Sequence, residues 1–157
     1  MSTLTHAEEI ISYITHHPVM VVSTVDVASR PDGAAVYVFT SSLKHLYFIT
    51  KTQTQKFENI TQNQHVALTS YDMHDNSSLQ ITGAAHAVHE ATTIEMVMSN
   101  MSAIYAKSSD WLPPIAKFRA GPYQVVRVTL QHARLARYKD AKPGDPHIFK
   151  EVSASDL

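Results

Sequence analysis

The sequence predicts a mainly β (α+β) protein, a six-stranded antiparallel barrel with helices packed outside it. Most apolar runs are short and rich in β-branched or aromatic residues, which is typical of strands. The connections between these runs are too short for the helical crossovers that parallel strands need. Only three segments have helical periodicity. A chain of 157 residues is long enough for one domain with its own core.

Three segments predict helices. The first begins at the capping box Thr5-x-x-Glu8 and ends before Pro18, because proline cannot continue a helix. The second follows a cluster of threonines, and the third carries apolar residues at helical spacing. The helices are predicted at 5–16, from 52–54 to 62–63, and at 91–107.

Six segments predict strands. The second strand follows a predicted turn at Arg30-Pro31-Asp32-Gly33 and forms a hairpin with the third. The fifth contains Gly83, which predicts a break or a bulge. The strands are predicted at 19–25, 34–40, 45–50, 65–71, 78–89 and 123–130, and a continuation of the last strand through Tyr138 stays open. Two prolines and many small polar residues follow, so we expect a barrel domain over residues 1–138 and a C-terminal tail over 139–157.

Composition excludes several classes of function. The formal net charge is −1 and charged residues make up 17% of the chain, which gives no electrostatic basis for binding nucleic acid or an anionic membrane. No apolar stretch approaches the roughly 20 residues of a membrane span, and the acidic N-terminus does not resemble a signal peptide. Cysteine is absent, so thiolate chemistry is excluded. The ten histidines lack metal-site spacing. We expect a cytoplasmic protein without a metal site.

The segment from Thr50 to Lys56 predicts an anion pocket. Three threonines and two lysines lie between an apolar strand and a helix, where the first N–H groups of the helix have no partner. Thr50 and Thr52 alternate on an extended segment, and Thr54 can cap the helix or donate to a phosphate. A lysine at this end of a helix is unfavourable by about 0.3–1 kcal/mol unless an anion lies nearby. The alternative is an ordinary surface turn with solvated lysines.

Several pieces of the chain occur in an order that matches a known family. They are Val21–Asp26 before a Pro-Asp-Gly turn, Val36–Phe39, Tyr47–Thr50 with Thr54 and Lys56 downstream, the passage containing Asn59, Asn63, Val66, Ala67 and Leu68, and Leu79–Ala85. From about Val19 to Tyr138 the chain resembles the pyridoxamine 5'-phosphate oxidase-like flavin-binding split-barrel proteins.

The resemblance implies a six-stranded split barrel that forms a homodimer, with flavin mononucleotide (FMN) at the subunit interface. Threonines and lysines of the pocket would hold the phosphate, and the backbone of the second strand would face the isoalloxazine edge. Either Ser78 or, preferably, Gln80 would reach the partner's flavin, and Trp111 would cover the flavin unless it is an ordinary packed tryptophan. The FMN-binding residues implied in this way are Val36, Tyr37, Val38, Thr50, Lys51, Thr52, Thr54, Lys56, Gln80 and Trp111.

The implied activity is flavin-mediated hydride transfer with a small molecule or a nicotinamide cofactor. No residue is marked as an acid or base. The chain departs from the true oxidases at Ala34 and Phe39, near the positions where they carry arginine and lysine, and it lacks their C-terminal substrate segment. Two alternatives stay open. One is a non-catalytic flavin or haem carrier or sensor, with His132 or His147 as an axial ligand. The other is a deazaflavin in place of FMN.

Overall fold

The computed structural model describes residues 2–107, 122–139 and 141–157. The helices are α1 (His6–His16), α2 (Gln55–Gln62) and α3 (Ala91–Ala106). The strands are β1 (Val19–Val25), β2 (Pro31–Tyr37), β3 (Phe39–Ser42), β4 (His45–Lys51), β5 (His65–Asp72), β6 (Ser77–Ala87), β7 (Tyr123–Arg137) and β8 (Phe149–Ser153). No helix in these described ranges is long and apolar enough to cross a membrane.

One antiparallel sheet curls into a split barrel. Its strand order is β2-β1-β5-β6-β7-β4-β3, and β8 also pairs with β7. The first and last strands of this order are joined by a single residue, Val38, so the sheet must curl back on itself. The backbone N–H of Val38 donates to the carbonyl of Pro18 at 2.8 Å. The barrel stays split because β2 pairs only with β1 among the described strands.

The alternation of side chains along the strands divides the core into two parts. Inward-facing residues fill the barrel, and Ile10, Tyr13 and Ile14 of α1 pack against them. Outward-facing residues of β4 and β7 form a smaller core with α3, where Val97 and Met101 are buried. A helix inserted on the outer side of the barrel therefore buries part of the surface that the sheet would otherwise expose to water.

The predicted fold class is confirmed, and the predicted helices form with the expected caps. Thr5 and Glu8 form the reciprocal capping box of α1. The predicted irregularity at Gly83 is confirmed by a register shift between Thr82 and Gly83 where β6 pairs with β7.

The sequence predicts six strands, whereas the described residues form eight. The single strand predicted at 34–40 is two strands, because the chain changes its pairing partner at Val38: β2 pairs with β1, and β3 pairs with β4. Pro31 and Gly33 lie in β2, where an edge strand tolerates proline. The turn comes earlier, where the Asp26 carboxylate accepts from the N–H groups of Ala28 and Arg30 at 2.8 and 2.9 Å.

Part of the predicted C-terminal tail forms the eighth strand. β7 pairs with β4 over Tyr123–Thr129, and the same edge continues beyond β4. β8 pairs with this continuation over His132–Ala136. The exposed edge of a long strand favours such an addition, because its backbone groups would otherwise lack partners.

We predict that Gly83→Ala destabilises the protein by about 1–3 kcal/mol, as expected for overpacking. A Cβ at this position would lie 2.6 Å from the carbonyl oxygen of Thr129 and 2.7 Å from Cγ1 of Val128. The midpoint of urea unfolding measures the change. Gly33→Ala is the control, because its Cβ would meet only Cγ1 of Val21 at 3.5 Å. Equal midpoints for both variants would contradict the prediction.

Candidate flavin-phosphate site

The candidate site is the corner where β4 ends and α2 begins. Side chains of β4 alternate, so Phe48 faces the inside of the barrel while Tyr47 faces α3. Thr50 follows the inward pattern and is 2% exposed. The strand ends at Lys51, and α2 starts four residues later at Gln55. The corner therefore joins the barrel interior to the positive end of a helix.

Two threonine hydroxyls stabilise this corner. Thr54 is the N-cap of α2, and its Oγ1 accepts from the N–H of Phe57 at 3.3 Å. The same hydroxyl lies 2.9 Å from the carbonyl oxygen of Lys51, to which it donates. Oγ1 of Thr50 lies 3.1 Å from Oγ1 of Thr54. Both hydroxyls thus have partners within the chain, and their first role is to fix the start of the helix.

The remaining donors of the corner are backbone N–H groups. The N–H of Phe57 is capped by Thr54, and the N–H of Glu58 donates to the carbonyl of Thr54 at 3.1 Å. The N–H groups of Gln55 and Lys56 precede these and have no carbonyl partner within α2. Two adjacent N–H groups at the start of a helix are suited to bind the oxygens of one anion, such as a phosphate.

Lys56 is the cation of the corner. It is the second residue of α2 and is half-buried. Burial lowers the pKa of its ammonium group, and the carboxylate of Asp32 on β2 opposes that shift. No hydrogen bond or ion pair joins the Lys56 ammonium to another described side chain. Burial without a close counter-ion is costly for an ammonium group, and a bound anion would offset that cost.

Lys51 and Thr52 do not join this cluster. Thr52 lies in the turn after β4, so the expected alternation of Thr50 and Thr52 on one extended segment is wrong. The strand ends one residue too early, and the N–H of Thr52 donates to the carbonyl of Pro122 at 3.2 Å. Lys51 is on the opposite side of β4 from Thr50, and its Nζ lies 5.8 Å from the ring centroid of Tyr123.

The three residues implied to face the flavin ring take different positions. Val36 and Val38 belong to the barrel core. Tyr37 points to the outer core, where its ring meets that of Tyr105 edge-on at 5.1 Å. Burial raises the pKa of Tyr105 to about 12. Side chains of this segment are therefore used for packing, so any contact between this segment and a ligand would be made by its backbone.

The other implied residues lie away from the corner or outside the described residues. Gln80 is exposed on the outward face of β6, and Ser78 is half-buried on the same face. A single protomer therefore does not bring Gln80 to Thr50, which faces inward. Trp111 lies outside the described residues.

The sequence interpretation missed the role of two residues near Lys56. The sequence predicts a turn at Asp32, whereas this residue lies on β2, and its carboxylate acts to raise the pKa of Lys56. Asn59 was noted only as part of a family passage, yet it is 1% exposed and its Nδ2 donates to Oγ1 of Thr24 at 3.0 Å. The signal for Asn59 was available, since a polar residue on the apolar side of a short helix must be hydrogen-bonded.

The histidines form no metal cluster in the described part of the chain. Nε2 of His132 lies 3.4 Å from a carboxylate oxygen of Glu151. His147 is exposed, and its backbone N–H donates to Asp145.

Comparison with known proteins gives the family. The model of the family described as pyridoxamine 5'-phosphate oxidase matches residues 7–137. No curated protein sequence matches the chain. Among solved structures, a Clostridium acetobutylicum protein of the pyridoxinephosphate oxidase family, related to general stress protein 26, is 18% identical. The alignment covers 94% of each chain, with a TM-score of 0.63.

Two further structures share the fold and differ in the cofactor that they are described as binding. An FMN-binding, pyridoxamine 5'-phosphate oxidase-related protein from Nostoc punctiforme is 13% identical, with 98% of each chain covered and a TM-score of 0.62. A haem-binding protein from Mycobacterium smegmatis is 10% identical, with a TM-score of 0.71. There the alignment covers 99% of this chain and 61% of that one. Since the family model spans residues 7–137 of 157, the chain belongs to the pyridoxamine 5'-phosphate oxidase family.

Proposed function

We propose that the protein is an FMN-binding oxidoreductase that transfers hydride between the flavin and a small molecule or nicotinamide cofactor. The observation that carries the proposal is the start of α2, where two N–H groups without helical partners adjoin a half-buried lysine. A phosphate monoester supplies the oxygens and the charge that such a corner lacks. Membership of the family supports FMN as the carrier of that phosphate.

The residues present fit the phosphate end of FMN. The N–H groups of Gln55 and Lys56 would donate to phosphate oxygens, and the Lys56 ammonium would balance the charge. Thr50 and Thr54 hold the corner in place and can turn a hydroxyl toward the ligand, since a hydroxyl proton rotates freely between acceptors. When bound, FMN supplies the hydride chemistry, and the protein supplies binding and orientation.

One edge of β2 suits the ring of the flavin. β2 pairs with β1 along its other edge, so the backbone N–H and C=O groups of alternate residues point away from β1. Flavin ring nitrogens and carbonyls can exchange hydrogen bonds with such an edge, as a strand would. The N–H of Val38 donates to Pro18, so Val36 and Val38 turn their backbone groups toward β1. Tyr37, between them, is the residue of this segment that we propose to turn its backbone groups toward the ring.

A homodimer is part of the proposal. Val19 and Val21 of β1 are 41% and 44% exposed, and Tyr71 of β5 is 61% exposed. β1 lies between β2 and β5, so these apolar side chains stand on the face of a fully paired strand. A second copy that covers this face would bury them. Gln80 is on the same face, because it pairs with Thr69, which pairs with Val21. A partner copy would therefore approach Gln80.

A second candidate is a haem carrier or sensor. The observation in its favour is that a haem-binding protein shares this fold. His132 and His147 are the candidate axial ligands, and His132 would have to leave its contact with Glu151.

The visible absorption spectrum of the purified protein, with and without added FMN, tests the proposal. A flavin spectrum that stays with the protein after gel filtration is the expected result. A haem band would favour the second candidate, and a colourless protein that takes up no FMN would refute flavin binding.

We predict that Lys56→Ala weakens FMN binding about tenfold or more, because a charge-assisted contact to the phosphate is lost. Fluorescence titration with FMN measures the affinity. Riboflavin, which lacks the phosphate, should bind both proteins alike. Lys44→Ala is the matched control, since Lys44 is an exposed lysine between β3 and β4. Unchanged FMN affinity in Lys56→Ala would remove Lys56 from the site.

We also predict that FMN affinity of the wild-type protein falls as the pH rises, and that it does so below the usual titration range of lysine. Burial lowers the pKa of Lys56, so the ammonium group is lost at a lower pH than in an exposed lysine. Phosphate binds the charged form, and affinity is therefore greatest below this pKa and declines as the pH passes through it. FMN titrations across the alkaline range test this, and Lys56→Ala should abolish the decline.

We predict that Val21→Lys converts a dimer to a monomer, because a buried charge without a partner opposes association. Val21 is already 44% exposed, so the protomer itself accommodates the longer side chain. Sedimentation equilibrium measures the mass. Val27→Lys is the control, because Val27 is 79% exposed and lies in the turn after β1. A wild-type monomer, or a dimer that survives Val21→Lys, would contradict the proposed interface.

A further inference from the structure

We propose that Asn59 is the positioning residue that fixes the first turn of α2, and that it thereby sets the preference for FMN over riboflavin. The inference rests on the proposed function. Asn59 lies one turn after Gln55 on α2, and its side chain bonds to Gln55 and Thr24 rather than to the ammonium of Lys56 or the N-cap Thr54. Its effect on the ligand therefore acts through the helix.

Asn59 links the helix start to the barrel by two directional hydrogen bonds. Its Oδ1 accepts from Nε2 of Gln55 at 2.9 Å, and its Nδ2 donates to Oγ1 of Thr24 at 3.0 Å. Thr24 is fully buried on β1, and Asn59 is 1% exposed. The side-chain amide of Asn59 thus connects Gln55, the first residue of α2, to Thr24 on β1.

An amide at this position is needed for orientation rather than for packing. Ile60, the next residue, shows that this side of α2 is in the apolar core. An aliphatic side chain would fill the same space without the cost of burying a polar group. Hydrogen bonds depend on angle, whereas apolar contacts do not, so the amide fixes the rotation of α2 about its own axis.

The helix needs such a restraint because it is short. α2 has eight residues, and a helix of about two turns is unstable on its own. Its orientation is set by what it docks against. The N–H groups of Gln55 and Lys56 must point at the same phosphate, and a small misorientation of the first turn weakens both bonds.

Riboflavin provides the readout, because it keeps the flavin ring and lacks the phosphate. In Asn59→Leu, which keeps the number and branching of the side-chain heavy atoms and removes both hydrogen bonds, FMN affinity should fall about tenfold while riboflavin affinity changes less than about twofold. The FMN-to-riboflavin ratio therefore collapses. Flavin fluorescence titration of the full-length protein measures both affinities.

Ser77→Ala is the matched control. Ser77 is also fully buried, its hydroxyl donates to that of Tyr13 at 3.0 Å, and it begins β6 near the opposite end of β1 from Thr24. This variant should lose stability and keep the wild-type ratio. Gln55→Ala covers the case in which Asn59→Leu does not fold, because Gln55 is exposed. It should lower the ratio in the same direction, and combined with Asn59→Leu it should add less than its separate effect.

The outcomes separate the inference from the proposed function. A wild-type protein that binds no flavin, or binds FMN and riboflavin equally, overturns both. A wild-type preference for FMN that persists in Asn59→Leu and Gln55→Ala overturns the positioning role alone. A parallel fall of FMN and riboflavin affinity in Asn59→Leu also overturns it, because that result indicates general loss of structure.

Discussion

The fold depends on one change of partner at Val38. On its N-terminal side the chain pairs with β1, and on its C-terminal side it pairs with β4. Val38 therefore joins β2 and β3, the two strands at opposite ends of the strand order. A flat sheet cannot bring those two strands together. The sheet curls, its inward side chains meet, and the interior must be filled by apolar residues at the alternate positions. The helices pack where this curled sheet leaves apolar surface uncovered.

The alternation of side chains along β4 also decides which residues reach the corner where β4 ends and α2 begins. Residues of β4 that face inward come to the corner from inside the barrel, and Thr50 is the last of them. Lys51 is one residue later and faces the other way, toward Tyr123. The threonines and lysines from Thr50 to Lys56 are close together in the sequence, but β4 places Thr50 and Lys51 on opposite faces. Lys56 reaches the corner only because α2 begins at Gln55, between Lys51 and Lys56, and changes the direction of the chain.

The sequence predicts much of this structure where the signal is local. The capping box at Thr5, the N-cap at Thr54 and the irregularity at Gly83 each follow from short-range chemistry, and all three are present. Family membership also follows from ordered short motifs. The strand at 34–40 shows the limit of such signals, because its residues alternate without interruption while the pairing partner changes.

The missed features depend on contacts between distant parts of the chain. β8 forms because β7 extends past β4 and leaves an edge for it, and no property of residues 149–153 alone indicates that edge. Asp32 is near Lys56 only once β2 lies beside α2. Asn59 was visible as a polar residue in an apolar helix face, but its partner Thr24 is 35 residues away. Contacts between residues so far apart in the sequence are fixed by the curled sheet rather than by local propensity.

FMN and haem need different protein groups on the same fold. The groups at the start of α2 are of the kind that the phosphate of FMN needs. A phosphate monoester requires adjacent N–H donors, a nearby cation and a rigid backbone. In our proposal, Gln55 and Lys56 supply the donors, Lys56 supplies the charge, and the contact between Asn59 and Thr24 supplies the rigidity. Haem requires an axial ligand, such as a histidine nitrogen that is free to bind iron. Of the two candidate ligands, His132 lies beside Glu151, while His147 is exposed. The start of α2 combines N–H donors and a half-buried cation in one place, and this combination supports our proposal of FMN over haem.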